Sequence, residues 1–275
     1  MYISEEYIRA FPEYEEVFAE DIERHRRHFL PLCSINLKCL FPEKDQWVHF
    51  VSFKEIYEGN VGQMTSSFHT EWLREDTVAF EVIGGKYKFA GDWNYFLIEQ
   101  EEQVNAEYDQ LKAAGDKQYL KLKKVKNQID ALKTVYTENE QDYEARKQFY
   151  KQHQKVHPYS SDEPMQSVQE VVNSMQSYRD KGWGIDYPEI NGLLDDLDLR
   201  SEHMQKMFLE HSDSEEEYRT FESTNLLYVP QRPDGSVFLY IGALTGYYFQ
   251  AYGADGLYLF YEESLQKAVI CLEYT

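Results

Sequence analysis

The side chains in this chain with the most scope for chemistry are its histidines and acids, and two spacings among them suit a metal ion. His203 and His211 lie eight apart, with Met207 between them and Glu202 and Glu210 alongside. On a helix these positions fall roughly in line, and two imidazoles with a neighbouring carboxylate could bind Zn²⁺ or a similar ion. An amphipathic helix with polar edges accounts for the same pattern, so no cofactor is implied. His153 and His157 are four apart and would share a helix face. Pro158 follows them and biases His157 toward an extended backbone, which makes a frayed polar helix end the expectation. The 49 Asp and Glu give chance neighbours throughout, and no carboxylate pair stands out.

Phosphate-cradling motifs are missing: neither G-x-x-x-x-G-K-[ST] nor G-x-G-x-x-G occurs. G-x-S-x-G and H-E-x-x-H are missing as well, which leaves a triad assembled from distant residues as the only nucleophilic arrangement open. Gly84-Gly85-Lys86 has the spacing of a two-residue hairpin turn. Cys33, Cys39 and Cys271 sit in apolar, strand-like runs without metal-ligand spacing and are expected to be buried, reduced thiols. Catalytic residues are therefore not identifiable from motifs.

The elements that would position such residues are easier to read. Pro12 and Glu13, Glu15 and Glu16 mark a helix start, and Arg24, Arg26 and Arg27 suit its end. Phe11, Tyr14, Phe18, Ile22 and Phe29, with His25, form its stripe, so one amphipathic helix is predicted over 12–29. Alternation from Cys33 to Phe41 predicts a half-buried strand, and further strands are expected at 47–53, 77–83, 86–90 and 93–98 as an antiparallel meander.

From about 99 to 155 the chain turns to Glu, Lys, Gln and Ala, with Val104, Tyr108, Leu111, Leu122, Val125, Ile129, Leu132, Tyr136 and Tyr143 in four-three alternation. Gly115 interrupts it, predicting a helical hairpin or one long interrupted helix. The arms are unequal, so the longer one needs something to cover its stripe. Candidates are the acidic 186–222 segment or, in a homodimer through the 99–155 helices, a second copy. Lys117, Lys121 and Lys124 share the opposite face as a solvated flank.

A short helix is expected from Val168 to about Gly182, and one or two more through Leu193, Leu197, Met204 and Phe208. Residues 186–222 hold 12 acids against three bases, a local net charge of −9. Strands return at 226–229, 237–241, 247–252, 257–261 and 269–274. Sheet at both ends with helices between predicts an α+β fold, a single domain over 1–275 with a helical insertion at 99–157 and a helical acidic segment at 160–222.

The whole chain carries 28 bases and 49 acids, a net charge of −21. That repels nucleic acid and anionic membranes and attracts a basic protein. Neither a bilayer-length apolar run nor a signal-peptide core is present, so no membrane contact and a cytoplasmic location are expected. The 23 tyrosines and 16 phenylalanines suit half-buried sheets and also binding surfaces.

The stretch FLYIGALTGYYFQAYGADGLYLFYEESLQKAVICLEY, Phe238 to Tyr274, resembles the C-terminal part of the YwqG-like bacterial proteins. In both, an aromatic-Gln segment precedes a glycine-containing turn and an aromatic strand. The resemblance covers about 37 of 275 residues, lacks the family's Gly-Gly-Pro-type N-terminal signature and transfers no site residue. It implies a toxin-immunity type of role. With the charge and the missing motifs, it makes a non-catalytic acidic protein that masks a basic partner the leading expectation. A hydrolase-like enzyme with a cleft lined by Tyr and carboxylates is the alternative.

Overall fold

The computed structural model describes residues 4–55, 61–157, 163–182 and 226–274. The N-terminal part contains β1 (Ile8–Ala10), α1 (Tyr14–Val17), α2 (Ile22–His28), β2 (Phe29–Asn36), β3 (Trp47–Phe53), β4 (Thr77–Ile83) and β5 (Lys86–Phe89). Three helices follow, α3 (Glu101–Ala113), α4 (Tyr119–His153) and α5 (Val168–Asp180), then β6 (Leu239–Leu244), β7 (Gly256–Glu262) and β8 (Lys267–Glu273). The fold is α+β with antiparallel sheets and a long helical hairpin.

Two sheets form where one sheet system was expected: β1-β2-β3, and β5-β4-β8-β7-β6. The second joins the chain's two ends, with β4 against β8 from Thr77↔Cys271 to Glu81↔Lys267. β3 lies against β5, β7 and β8, and one apolar cluster runs through both sheets and α4. This enclosure buries β2 at every position, so the half-buried strand expected at 33–41 is instead a fully buried one over 29–36. A 3-10 turn, Leu37–Cys39, ends it. Pro31, which cannot donate to a sheet ladder, sits beside a bulge between Pro31 and Cys33.

The helix predicted over 12–29 is two short ones. Asp21 has φ 47°, and Phe18 is extended, buried and bridged to Tyr87, which pulls the chain out of helical register. His25, on that stripe, is buried, with Nδ1 3.1 Å from the Asp21 carbonyl and Nε2 accepting the Phe89 N–H at 2.9 Å. Residues 93–98, predicted as a strand, form 3-10 turns at Trp93–Tyr95 and Leu97–Gln100. Asp92 accepts the Asn94 N–H at 2.8 Å, which starts the first turn and sends Phe96 in against Phe29. The expected strands at 226–229 and 247–252 are not formed either. In the second, a 3-10 turn at Gly246–Tyr248 brings Gly246 onto Gly253 so closely that a Cβ on Gly253 would lie 2.5 Å from Gly246 backbone.

Gly115, at φ 70°, opens the hairpin turn between α3 and α4. Along α4 the first buried residue is Ile129, and from there Leu132, Tyr136, Asn139, Tyr143 and Arg146 are buried in turn. The N-terminal part packs on α3. The C-terminal part is covered by the sheets: Asn139 donates to the Lys54 carbonyl at 2.8 Å and Tyr143 to the Pro31 carbonyl at 2.6 Å. Among the described residues, the stripe of the longer arm from Ile129 onward is covered by the β-core. Lys117, Lys121 and Lys124 are exposed, as expected. The acidic 186–222 segment and the helices expected there lie outside the described residues. Among the described residues no helix is long and apolar enough to cross a membrane.

Replacing Ile129 and Leu132 with Asp should therefore lower stability by several kcal/mol in a urea titration. Leu120→Asp, at a position 50% exposed, should change it by no more than about 0.5 kcal/mol. Equal unfolding midpoints for the two variants would show that α4 does not dock as described.

Candidate functional site

The residues singled out from sequence do not assemble. His203 and His211 lie outside the described residues. His153 is exposed against Phe149, whereas His157 is buried, with Nδ1 3.3 Å from Arg146 and Nε2 3.0 Å from Ser174 Oγ, so the pair does not converge. Arg146 donates to His157 Nδ1, which leaves the Nε2 proton directed at Ser174 and prevents the ring from acting as that serine's base. Cys33 and Cys271 are buried and Cys39 half-buried; all are unbridged, with burial raising each thiol. Among the described residues no three His, Cys, Asp or Glu converge as metal ligands.

A different constellation forms where α4 meets the end of β3. Glu99, in the Leu97–Gln100 turn, has Oε1 3.0 Å from His28 Nε2 at the end of α2. His28 Nδ1 is 2.9 Å from the Tyr136 hydroxyl, which is 3.0 Å from Glu55 Oε2, two residues past β3. Glu55 Oε1 accepts the Leu97 N–H at 3.2 Å. His28, Tyr136 and Glu55 are buried; Glu99 reaches the surface, where Arg24 and Arg27 lie 3.1 and 2.9 Å from it. Glu55 also lines a cavity of about 260 Å³ with Thr65, Leu97, Gln128 and Leu132, and exposed Gln63 and Met64 stand at its rim. That volume is on the order of nine waters' worth of space.

Burial pushes the Glu55 carboxyl up to about 7 and the His28 imidazole down to about 4. The hydrogen bond from His28, with Arg27 and Arg24 beside it, pulls Glu99 down to about 2. Proton positions follow from counting donors. Tyr136 has one proton and faces two acceptors, so either Glu55 or His28 must supply a second. With neutral His28, protonated Glu55 donates to Tyr136, Tyr136 to His28 Nδ1, and His28 Nε2–H to the Glu99 carboxylate. Shifting two protons along the chain gives ionised Glu55 and an imidazolium with the same total. The opposite displacements of Glu55 and His28 favour the first arrangement near neutral pH. The chain can thus move a proton between the surface and the cavity without rearranging heavy atoms.

A second carboxyl, Asp76, is also pushed up to about 7 by burial and accepts the Val61 N–H at 3.3 Å. It holds the start of the loop from which Gly62 to Thr65 line the cavity. None of these residues was identifiable beforehand. Tyr136 read as one apolar position of a stripe, and the one local signal was a hydroxyl where Leu or Ile would pack as well. Glu55 follows an apolar strand with nothing to distinguish it from other acids.

The chain matches no protein-family model, and no curated protein or solved structure is significantly similar to it.

Glu55→Gln tests the proton assignment, since a glutamine amide can donate to Tyr136 while its oxygen accepts from Leu97. A carboxyl raised from 4.5 to about 7 stabilises the fold at low pH and loses that contribution as pH rises through this window. His28, lowered from 6.5 to about 4, contributes with the opposite sign over an overlapping window and offsets it in the parent. Between pH 4.5 and 7, Glu55→Gln should therefore gain about 3 kcal/mol relative to the parent. Parallel stability profiles of the two proteins would refute the assignment.

Proposed function

We propose that the chain is a hydrolase-type enzyme whose proton donor is Glu55, acting on a small, uncharged polar molecule in the adjoining cavity. The observation that carries this reading is a buried carboxyl, matched to neutral pH, that lines a cavity and is hydrogen-bonded through Tyr136 and His28 to a surface acid. As water adds to the substrate's electrophilic centre and the leaving-group bond breaks, Glu55 gives its proton to the leaving atom. The water's surplus proton goes to solvent. Ionised Glu55 then recovers a proton from solvent through the cavity, while its contacts with Tyr136 and the Leu97 N–H hold the carboxyl in place. Gln63 and Gln128 offer amides to the substrate, and Leu97, Leu132 and Met64 offer apolar contact. An uncharged substrate fits a cavity with no cationic lining residue in a protein of net charge −21.

A panel of small esters, amides and glycosides assayed from about pH 5 to pH 9 tests this reading. Turnover should fall as pH rises through about 7, and Glu55→Gln should lower it roughly 10²- to 10⁴-fold with the fold intact. Turnover in Glu55→Gln equal to the parent's would overturn it.

The net charge of −21 favours a second reading, an acidic factor that masks a basic protein, as the YwqG-like resemblance implies. Such a partner should be retained from native lysate at low salt and released at high salt. Failure to retain any protein under either condition would exclude it.

A further inference from the structure

On another face of the molecule, a cleft of about 460 Å³ opens between the three-stranded sheet and the turn joining β4 to β5. We propose that it binds a small organic oxyanion, a carboxylate or phosphate monoester, held between Arg9 and Lys86.

The cleft's cations are under-used. The Arg9 guanidinium sits over Trp47, with Cζ 4.2 Å from the ring centroid, a cation–π contact that places it in the cleft. Among the described residues its carboxylate contact is Glu16 at 3.4 Å, with both side chains about half exposed, a pair that solvent screens. Lys86 donates to the Glu15 carbonyl at 2.6 Å and pairs with no carboxylate among the described residues. The other acid in the lining is already taken, since Asp45 accepts from Lys38 at 2.6 Å and Asn36 at 3.0 Å.

The cleft floor is rigid and uncharged. His49 donates from Nε2 to the Gly85 carbonyl at 2.8 Å and accepts the Ser34 hydroxyl proton at Nδ1 at 2.7 Å, so both nitrogens are committed. Burial, with Arg9 and Lys86 adding repulsion, holds the ring down to about 4. Two cations therefore bear on one buried neutral ring, and the carboxylate beside them, Glu16, meets Arg9 only through the screened contact. The same Gly85 bond ties the turn to the sheet. Gly84 and Gly85 have φ 60° and 81° and open space above them, and neither N–H has a backbone acceptor among the described residues. They add two donors at the rim, a turn geometry that suits an oxyanion. The volume far exceeds a bare oxyanion and falls in the range of small-molecule sites, so the ligand carries an organic body.

Calorimetric titration of the whole protein with phenyl phosphate, benzoate and inorganic phosphate, beside NMR of the His49 ring, tests the proposal. At least one organic anion should bind saturably and more tightly than inorganic phosphate. Arg9→Met and Lys86→Met, both surface changes, should each weaken it about tenfold or more. Saturation should raise the His49 titration midpoint, because an anion offsets the two cations. Phenyl phosphate exceeding benzoate, or the reverse, identifies which oxyanion the cleft prefers, and either supports the site. Overturning results are an absence of saturable binding, affinity unchanged in both variants, inorganic phosphate binding as tightly as the organic anions, or an unmoved His49 midpoint.

Discussion

The seating of α4 on the edge of the β-core is the constraint on which the rest of the molecule depends. Ile129, Leu132, Tyr136, Asn139, Tyr143 and Arg146 follow one another at three- and four-residue steps and form a single buried seam. Its first two members are apolar; the next four carry polar atoms that must find partners once water is excluded. Backbone carbonyls accept from three of them: Lys54 after β3 from Asn139, Pro31 in β2 from Tyr143, and Tyr247 in the turn after β6 from Arg146 at 2.7 Å. Rotating or sliding α4 by one residue would leave all of these unsatisfied together. Hydrogen bonding to fixed backbone therefore sets the helix position more tightly than apolar contact alone, and places the Tyr136 hydroxyl between Glu55 and His28.

That placement makes the buried charge distribution tolerable. Taking a carboxyl or an imidazole out of water penalises its charged form, and the core answers in two ways. In places an opposite group is brought within reach: Asp142 and Arg146 meet at 2.6 Å, and Lys54 reaches Glu140 at 2.9 Å. Elsewhere burial outweighs the neighbours and displaces the group toward its neutral form, as with Glu55, Asp76, His28 and His49.

Much of the architecture was legible because periodicity survives folding. The 77–83 and 86–89 hairpin around Gly84-Gly85, β3 at 47–53, and the α3–α4 hairpin broken at Gly115 all follow from alternation, heptad spacing and turn residues. Failures came where tertiary contact overrode local pattern. Phe18 satisfies a helical stripe but is drawn out to bridge Tyr87, and Trp93–Ile98 alternates like a strand yet is wound into 3-10 turns by the Asp92 cap. The candidate sites were not legible at all. Glu55, His28, Glu99 and Tyr136 are separated by up to 108 residues, and each is unremarkable in its own segment. Sequence shows which side chains can ionise; only the fold decides which of them lose water and meet.

One long helix serves two roles, and this bears on how the protein can change over generations. α4 runs without interruption from a tip that, among the described residues, packs on α3 to a seam buried against the sheets. Each added residue turns an α-helix by about 100°. An insertion within 129–149 would therefore rotate every later seam residue off its carbonyl, whereas matched gains or losses in α3 and the first turns of α4 shift only the height of the tip. Related chains should then differ freely in hairpin length up to Ile129 while keeping the seam residues in fixed register, so that the tip is the part of this fold that can be lengthened, trimmed or replaced without disturbing the core.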